Sequence, residues 1–192
     1  PSAQRPMIPG RRMGRSEMAA LLVVLGVLVL LPVGRTSELG ILIGAVVGVV
    51  LLLRHRFRPL ADTGLQLVLL VFAGYWLPIV FSAFASVAPQ RSWTTALETL
   101  RFLPFALFVA WALRRPASWP PFLLAVAAIT ALWLIDAWVQ FLSGNSLGGA
   151  PELERLSGIF GADNLKLGPV LAVLSPFVLL AARERAGRTG LL

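Results

Sequence analysis

Apolar runs of membrane length alternate with short basic or polar breaks along almost the whole chain. A helix needs about 20 mainly apolar residues, within a range of about 17–25, to cross the hydrocarbon core. Six segments reach or come close to that length: Met18–Val33, Leu39–Leu53, Leu65–Val87, Thr94–Leu113, Pro121–Leu142 and Leu165–Ala182. The pattern predicts an all-α, polytopic integral membrane bundle over residues 16–192, preceded by a basic tail over residues 1–15.

Local signals place the ends of these helices. Ser16 is a predicted N-cap, with Glu17 in the first turn where the helix dipole favours an anion. Residues 32–38 leave almost no loop, so the first two helices should form a tight hairpin. Gly40, Gly44 and Gly48 recur every four residues, and such a stripe lets a neighbouring helix approach closely. Pro78, Pro104 and Pro176 fall inside predicted helices and should kink them. Pro1, Pro6, Pro9 and Gly10 mark the first fifteen residues as a disordered tail lying on anionic lipid.

Composition agrees with the pattern and narrows the class. The chain of 192 residues is 57% hydrophobic and 14% charged, with mean hydropathy +0.81. Ordinary soluble domains carry about 25% charged residues. The net charge of +8 comes from arginines scattered between apolar runs, not from one basic face with interleaved aromatics. Nucleic acid is therefore not the expected partner. There are no cysteines, which excludes disulfides and thiolate metal sites. The one histidine, His55, cannot build a histidine metal centre alone. The first apolar run is long enough to span and lacks a small-residue cleavage site after it, so it reads as an anchor.

Arginine and lysine also set an orientation, because cytoplasmic loops carry the excess of positive charge. With the N-terminus inside, the inner segments hold Arg5, Arg11, Arg12, Arg15, Arg54, Arg56, Arg58, Arg114, Arg115, Arg183, Arg185 and Arg188. The outer segments hold Arg35, Arg91, Arg155 and Lys166, and Arg101 lies within the fourth helix. Twelve against four places both ends of the chain in the cytoplasm and the long polar loop outside.

That loop, residues 142–166, reads LSGNSLGGAPELERLSGIFGADNLK and is the longest polar interruption. A connector between membrane helices needs only a few residues, so a long loop points to function. Asp136 and Gln140 precede it, four residues apart on one face of the fifth helix. Asp136 has no cation nearby in sequence and must find a partner on another helix, carry a proton, or face water. Glu98 and Arg101, three apart, can pair on one face of the fourth helix or point into a wet cavity. Arg155 offers a planar guanidinium that matches phosphate oxygens. Without other information, a solvated pairing with Glu152 or Glu154 is its alternative. Lys166 brings a second positive charge to the start of the sixth helix, where the dipole also favours anions. Gly158 and Gly161 should shape a tight backbone, with Phe160 as a plug into the helices or a lipid contact. Arg91 is a weaker phosphate candidate, and an interfacial, structural role is the favoured reading for it. No acidic metal-binding pair stands in the outer loops, and no cofactor is expected.

The order DAWVQFLSGNSLGG…ERLSGIFGADNLKLGPVLAVLSPFVLL resembles the bacterial O-antigen ligase and O-antigen polymerase family of membrane glycosyltransferases. The resemblance covers roughly residues 135–180 and is general in hydropathy elsewhere. It implies a metal-independent, inverting transfer of O-antigen polysaccharide from undecaprenyl diphosphate to the lipid A core. The site would face the periplasm of a bacterial inner membrane. It also implies that Arg155 engages the lipid diphosphate; Lys166, Asp136, Gln140 and Arg91, read from the residues themselves, are the further candidate binding or cavity residues. Family members have about twice as many helices, and carry a second arginine and a catalytic histidine in their second half. His55 falls on the cytoplasmic side and does not fill that role, so the chain is expected to be the N-terminal half of a roughly twelve-helix enzyme. Within the class, an O-antigen polymerase or a protein O-oligosaccharyltransferase shares the donor. Outside it, half of a transporter or flippase, or a structural membrane subunit, remains open.

Overall fold

The computed structural model describes residues 13–34, 36–54, 63–149, 156–161 and 166–188. Seven α-helices follow in order: α1 (Arg15–Leu30), α2 (Thr36–Leu53), α3 (Thr63–Phe84), α4 (Pro89–Leu100), α5 (Phe102–Ala112), α6 (Trp119–Ser143) and α7 (Leu167–Arg188). Among the described residues there is no strand, and two single-turn 3₁₀ helices lie at Pro116–Ser118 and Gly158–Phe160.

The outward faces are apolar. Leu67, Leu70, Val71, Phe81, Val173 and Leu179 are all exposed. A water-soluble protein rarely tolerates such contiguous apolar surface, whereas a bilayer is its natural solvent. Five segments have the length and hydropathy to cross a membrane: Thr36–Leu53, Thr63–Phe84, Pro89–Ala112, Pro116–Ser143 and Leu167–Gly187. The protein is a helical, multi-pass membrane bundle. The first predicted span, at 16 residues, is shorter than these five.

Two expected details change. First, α1 begins at Arg15, and Gly14 occupies the N-cap in place of Ser16. Glu17 folds back so that its carboxylate accepts from the Gly14 amide at 3.1 Å, which satisfies the backbone donor of the N-cap residue itself. Second, the fourth predicted helix is two helices, α4 and α5, interrupted at Arg101. Pro104 explains the break. It has no N–H for the Leu100 carbonyl four residues back, and its ring crowds that carbonyl. The interruption redirects Arg101, whose Nη1 lies 3.8 Å from Glu38 Oε2 on α2 rather than pairing with Glu98.

The glycine stripe on α2 is a packing surface. A methyl on Gly40 would strike Val27 of α1, one on Gly44 would meet Phe105 and Phe108 of α5, and one on Gly48 would overlap the Pro104 carbonyl. Gly40 and Gly44 thus receive side chains of α1 and α5, and at Gly48 the backbones of α2 and α5 themselves approach. The remaining principal pairs are α3 with α4 and α6 with α7. Trp76 of α3 donates its indole N–H to the Ala96 carbonyl of α4 at 2.9 Å, so a buried polar tip is satisfied.

The core runs along α6. Val126 and Trp133 are fully buried there, packed with Leu21 and Val24 of α1, Phe108 of α5 and Leu174 of α7. Pro120 and Pro121 open α6, removing two amide donors that a helix start would leave unpaired. Gly144, at φ +74°, closes it in the left-handed conformation. At the opposite end from the loop, Arg115 Nη1 meets Glu17 Oε1 at 2.7 Å and ties the start of α1 to the start of α6.

Candidate functional site

The last three turns of α6 present Trp133, Asp136, Ala137 and Gln140 on one buried face. Spacings of three, four and seven residues place them in one row. Hydrophobic periodicity alone would assign this row to the core, and the two polar members need partners there. The loop supplies them.

Gln140 is 2% exposed, and both ends of its amide are used. Its Oε1 accepts from the Ser157 amide at 3.0 Å and from the Gly158 amide at 2.8 Å. Its Nε2 donates to Ser157 Oγ at 3.2 Å. Asp136 Oδ1 accepts from the Leu147 amide at 2.9 Å. The partners of both side chains are therefore loop backbone and a loop hydroxyl, not another helix. Asp136 Oδ2 is buried and has no hydrogen-bond partner among the described residues.

The two described arms of the loop, residues 144–149 and 156–161, lie against each other. Ser146 Oγ donates to the Gly158 carbonyl at 3.1 Å across the arms, while within its own arm the Ser146 backbone bridges to Gly149. Gly148 is the point of closest approach, because a Cβ there would lie 2.5 Å from the Gly158 oxygen and 2.7 Å from the Gly161 nitrogen. No larger residue fits without separating the arms. Gly158 and Gly161 adopt φ of +54° and +82°, which L-residues rarely take. A side chain at 158 would also come within 3.4 Å of Asp136 Oδ2. Phe160 points inward at 5% exposure and meets Trp133 edge-on, with ring centroids 5.3 Å apart. It is a plug into the helices, and the aromatic contact adds to the area it buries.

Lys166 and Arg91 take no part in these contacts. Lys166 is exposed in the turn before α7, and its carbonyl accepts from the Val170 amide. Arg91 is exposed in the first turn of α4. Arg155, its possible counter-charges Glu152 and Glu154, and His55 lie outside the described residues. Three participants were not singled out from sequence: Ser146, Ser157 and Trp133. Trp133 was findable, since it stands three residues before Asp136 and seven before Gln140 on one helical face. The serines carry no such signal, because their contacts depend on how the loop closes.

Beside the loop, α6 and α7 leave an apolar groove of about 450 Å³ lined by Leu134, Trp138, Phe141, Leu156, Leu167 and Leu171. Leu156 belongs to the loop arm that Gln140 fastens. No cluster of three or more histidine, cysteine, aspartate or glutamate residues with metal-binding spacing occurs among the described residues. No protein-family model, no curated protein and no solved structure matches this chain.

Proposed function

We infer that this chain is the donor-binding part of a membrane glycosyltransferase of the O-antigen ligase type. The observation that carries the reading is the apolar groove of about 450 Å³ directly beside a polar, fastened loop. A polyprenyl-diphosphate glycan has the matching chemistry: a long apolar tail, a diphosphate at the membrane surface, and a polar sugar beyond it. The resemblance of residues 135–180 to the O-antigen ligase and polymerase family supports the same assignment.

In this mechanism an acceptor hydroxyl attacks the anomeric carbon, the bond from that carbon to the diphosphate oxygen breaks, and the diphosphate leaves with the electron pair. Negative charge grows on the leaving group, so a fixed guanidinium stabilises the transition state more than the ground state. Arg155 takes that role, and Lys166 adds positive charge at the start of α7. Asp136 and Gln140 act on the loop rather than on the reacting atoms. The base that removes the hydroxyl proton is contributed from outside this chain.

The test measures glycan transfer from undecaprenyl diphosphate to lipid A core by the full-length protein, its Arg155→Ala variant and its Arg155→Lys variant at equal membrane abundance. Loss in the alanine variant with little rescue by lysine is expected, because an ammonium lacks the bidentate fork. Near-normal transfer in both variants would overturn the role of Arg155. Lengthening of the glycan on its carrier, without transfer to lipid A core, would replace the ligase with a polymerase.

A further inference from the structure

At the end of the α6–α7 seam remote from the loop, a second groove of about 480 Å³ opens between the first turns of α6 and the last turns of α7. Its size lies within the range of about 300–1,000 Å³ typical of small-molecule sites. Small side chains create it. Ala127, Ala181 and Ala182 leave space that Leu123, Leu124 and Val178 do not fill. One residue from Leu123 and Val178, Phe122 and Phe177 meet edge-on at 5.7 Å and hold the two helices together beside the opening.

The rim distinguishes this groove from ordinary lipid-facing surface. Its charged lining residues are one carboxylate, Glu184, and one guanidinium, Arg185, at the end of α7. Trp119, at the start of α6, is partly exposed next to Pro120 and Pro121 of the lining, as amphipathic rings are at membrane–water interfaces. A purely anionic headgroup would match Arg185 and be repelled by Glu184. A headgroup with one phosphate and one ammonium matches both. Arg185 has five N–H donors, so it can hold a phosphate alongside another partner.

We propose that this groove seats a phospholipid with a phosphate-and-amine headgroup, such as phosphatidylethanolamine. Its phosphate meets Arg185, its ammonium meets Glu184, and one acyl chain lies on Leu123, Leu124, Ala127 and Val178. A trimethylated headgroup retains charge but has no N–H to donate to Glu184, so phosphatidylcholine should bind less well.

Native mass spectrometry of the full chain, taken from nanodiscs containing equal phosphatidylethanolamine, phosphatidylglycerol and phosphatidylcholine, tests this. Phosphatidylethanolamine should be retained at least about tenfold over either competitor, a difference of about 1.4 kcal/mol. Glu184→Gln should abolish its advantage over phosphatidylcholine, Arg185→Gln should lower retention of all three, and Ala182→Phe should occlude the groove. Leu70→Phe, on the exposed face of α3, should change nothing. Far-UV circular dichroism confirms that each variant is folded. Equal retention of the three lipids, preference for phosphatidylglycerol, or a preference untouched by Glu184→Gln would each overturn the proposal.

Discussion

Replacing Gln140 by methionine isolates the fastening of the loop. Methionine keeps the length and approximate volume of the side chain but offers no strong acceptor. The Ser157 and Gly158 amides, now at 3.0 and 2.8 Å from Gln140 Oε1, would lose their partner in a site that is 2% exposed at Gln140 and 1% at Ser157. Each buried donor left unpaired costs about 1–3 kcal/mol, so the two together cost about 2–6 kcal/mol. The third bond, from Nε2 to Ser157 Oγ, costs less to lose, because the hydroxyl can turn to another acceptor. Hydrogen exchange of the Ser157 and Gly158 amides reads this directly. At the low end of that range their exchange should quicken about 30-fold, since each 1.4 kcal/mol is a factor of ten. Amides in the middle of α6 should be unaffected. Gln140→Glu provides the control. A carboxylate can still accept from both amides, and Ser157 can donate to it, so protection should largely persist. Exchange within about threefold of wild type in the methionine variant would refute the claim that Gln140 holds the loop.

Three further changes test other parts of the fold. Gly48→Ala places a methyl on the Pro104 carbonyl and must push α2 from α5, at a cost of about 1–3 kcal/mol, read as a lowered thermal midpoint in detergent. Gly148→Ala should part the two loop arms and raise protease sensitivity near residues 144–149, while the helix content by circular dichroism is retained. Arg115→Gln should lower stability by about 1–3 kcal/mol, because Arg115 is 42% exposed but its partner Glu17 is only 13% exposed and loses its cation. No measurable loss of the thermal midpoint would mean that the pair contributes nothing to stability.

Element type and solvent were determined by the sequence itself. Apolar runs of spanning length require helices, because backbone polar groups in hydrocarbon must be satisfied within the segment. The α2 glycines announced a close-packing face, since their spacing of four keeps them in one row that a neighbouring helix can approach closely. Gly158 and Gly161 likewise announce a tight backbone, whereas residue type alone leaves Phe160 between an inward plug and a lipid contact, and its burial against Trp133 decides for the plug.

Tertiary structure decided the rest, because it concerns which groups meet. Pro104 foretold the interruption at Arg101, yet only the packing of α5 on α2 decided that Arg101 meets Glu38 instead of Glu98. Periodicity put Asp136 and Gln140 on one face without naming what that face touches. Their partners are loop amides 11 to 18 residues away, reached only after the chain leaves α6, turns at Gly144 and folds back over it. Local spacing fixes direction along a helix. The identity of a partner depends on loop closure, whose geometry is set by all the contacts at once.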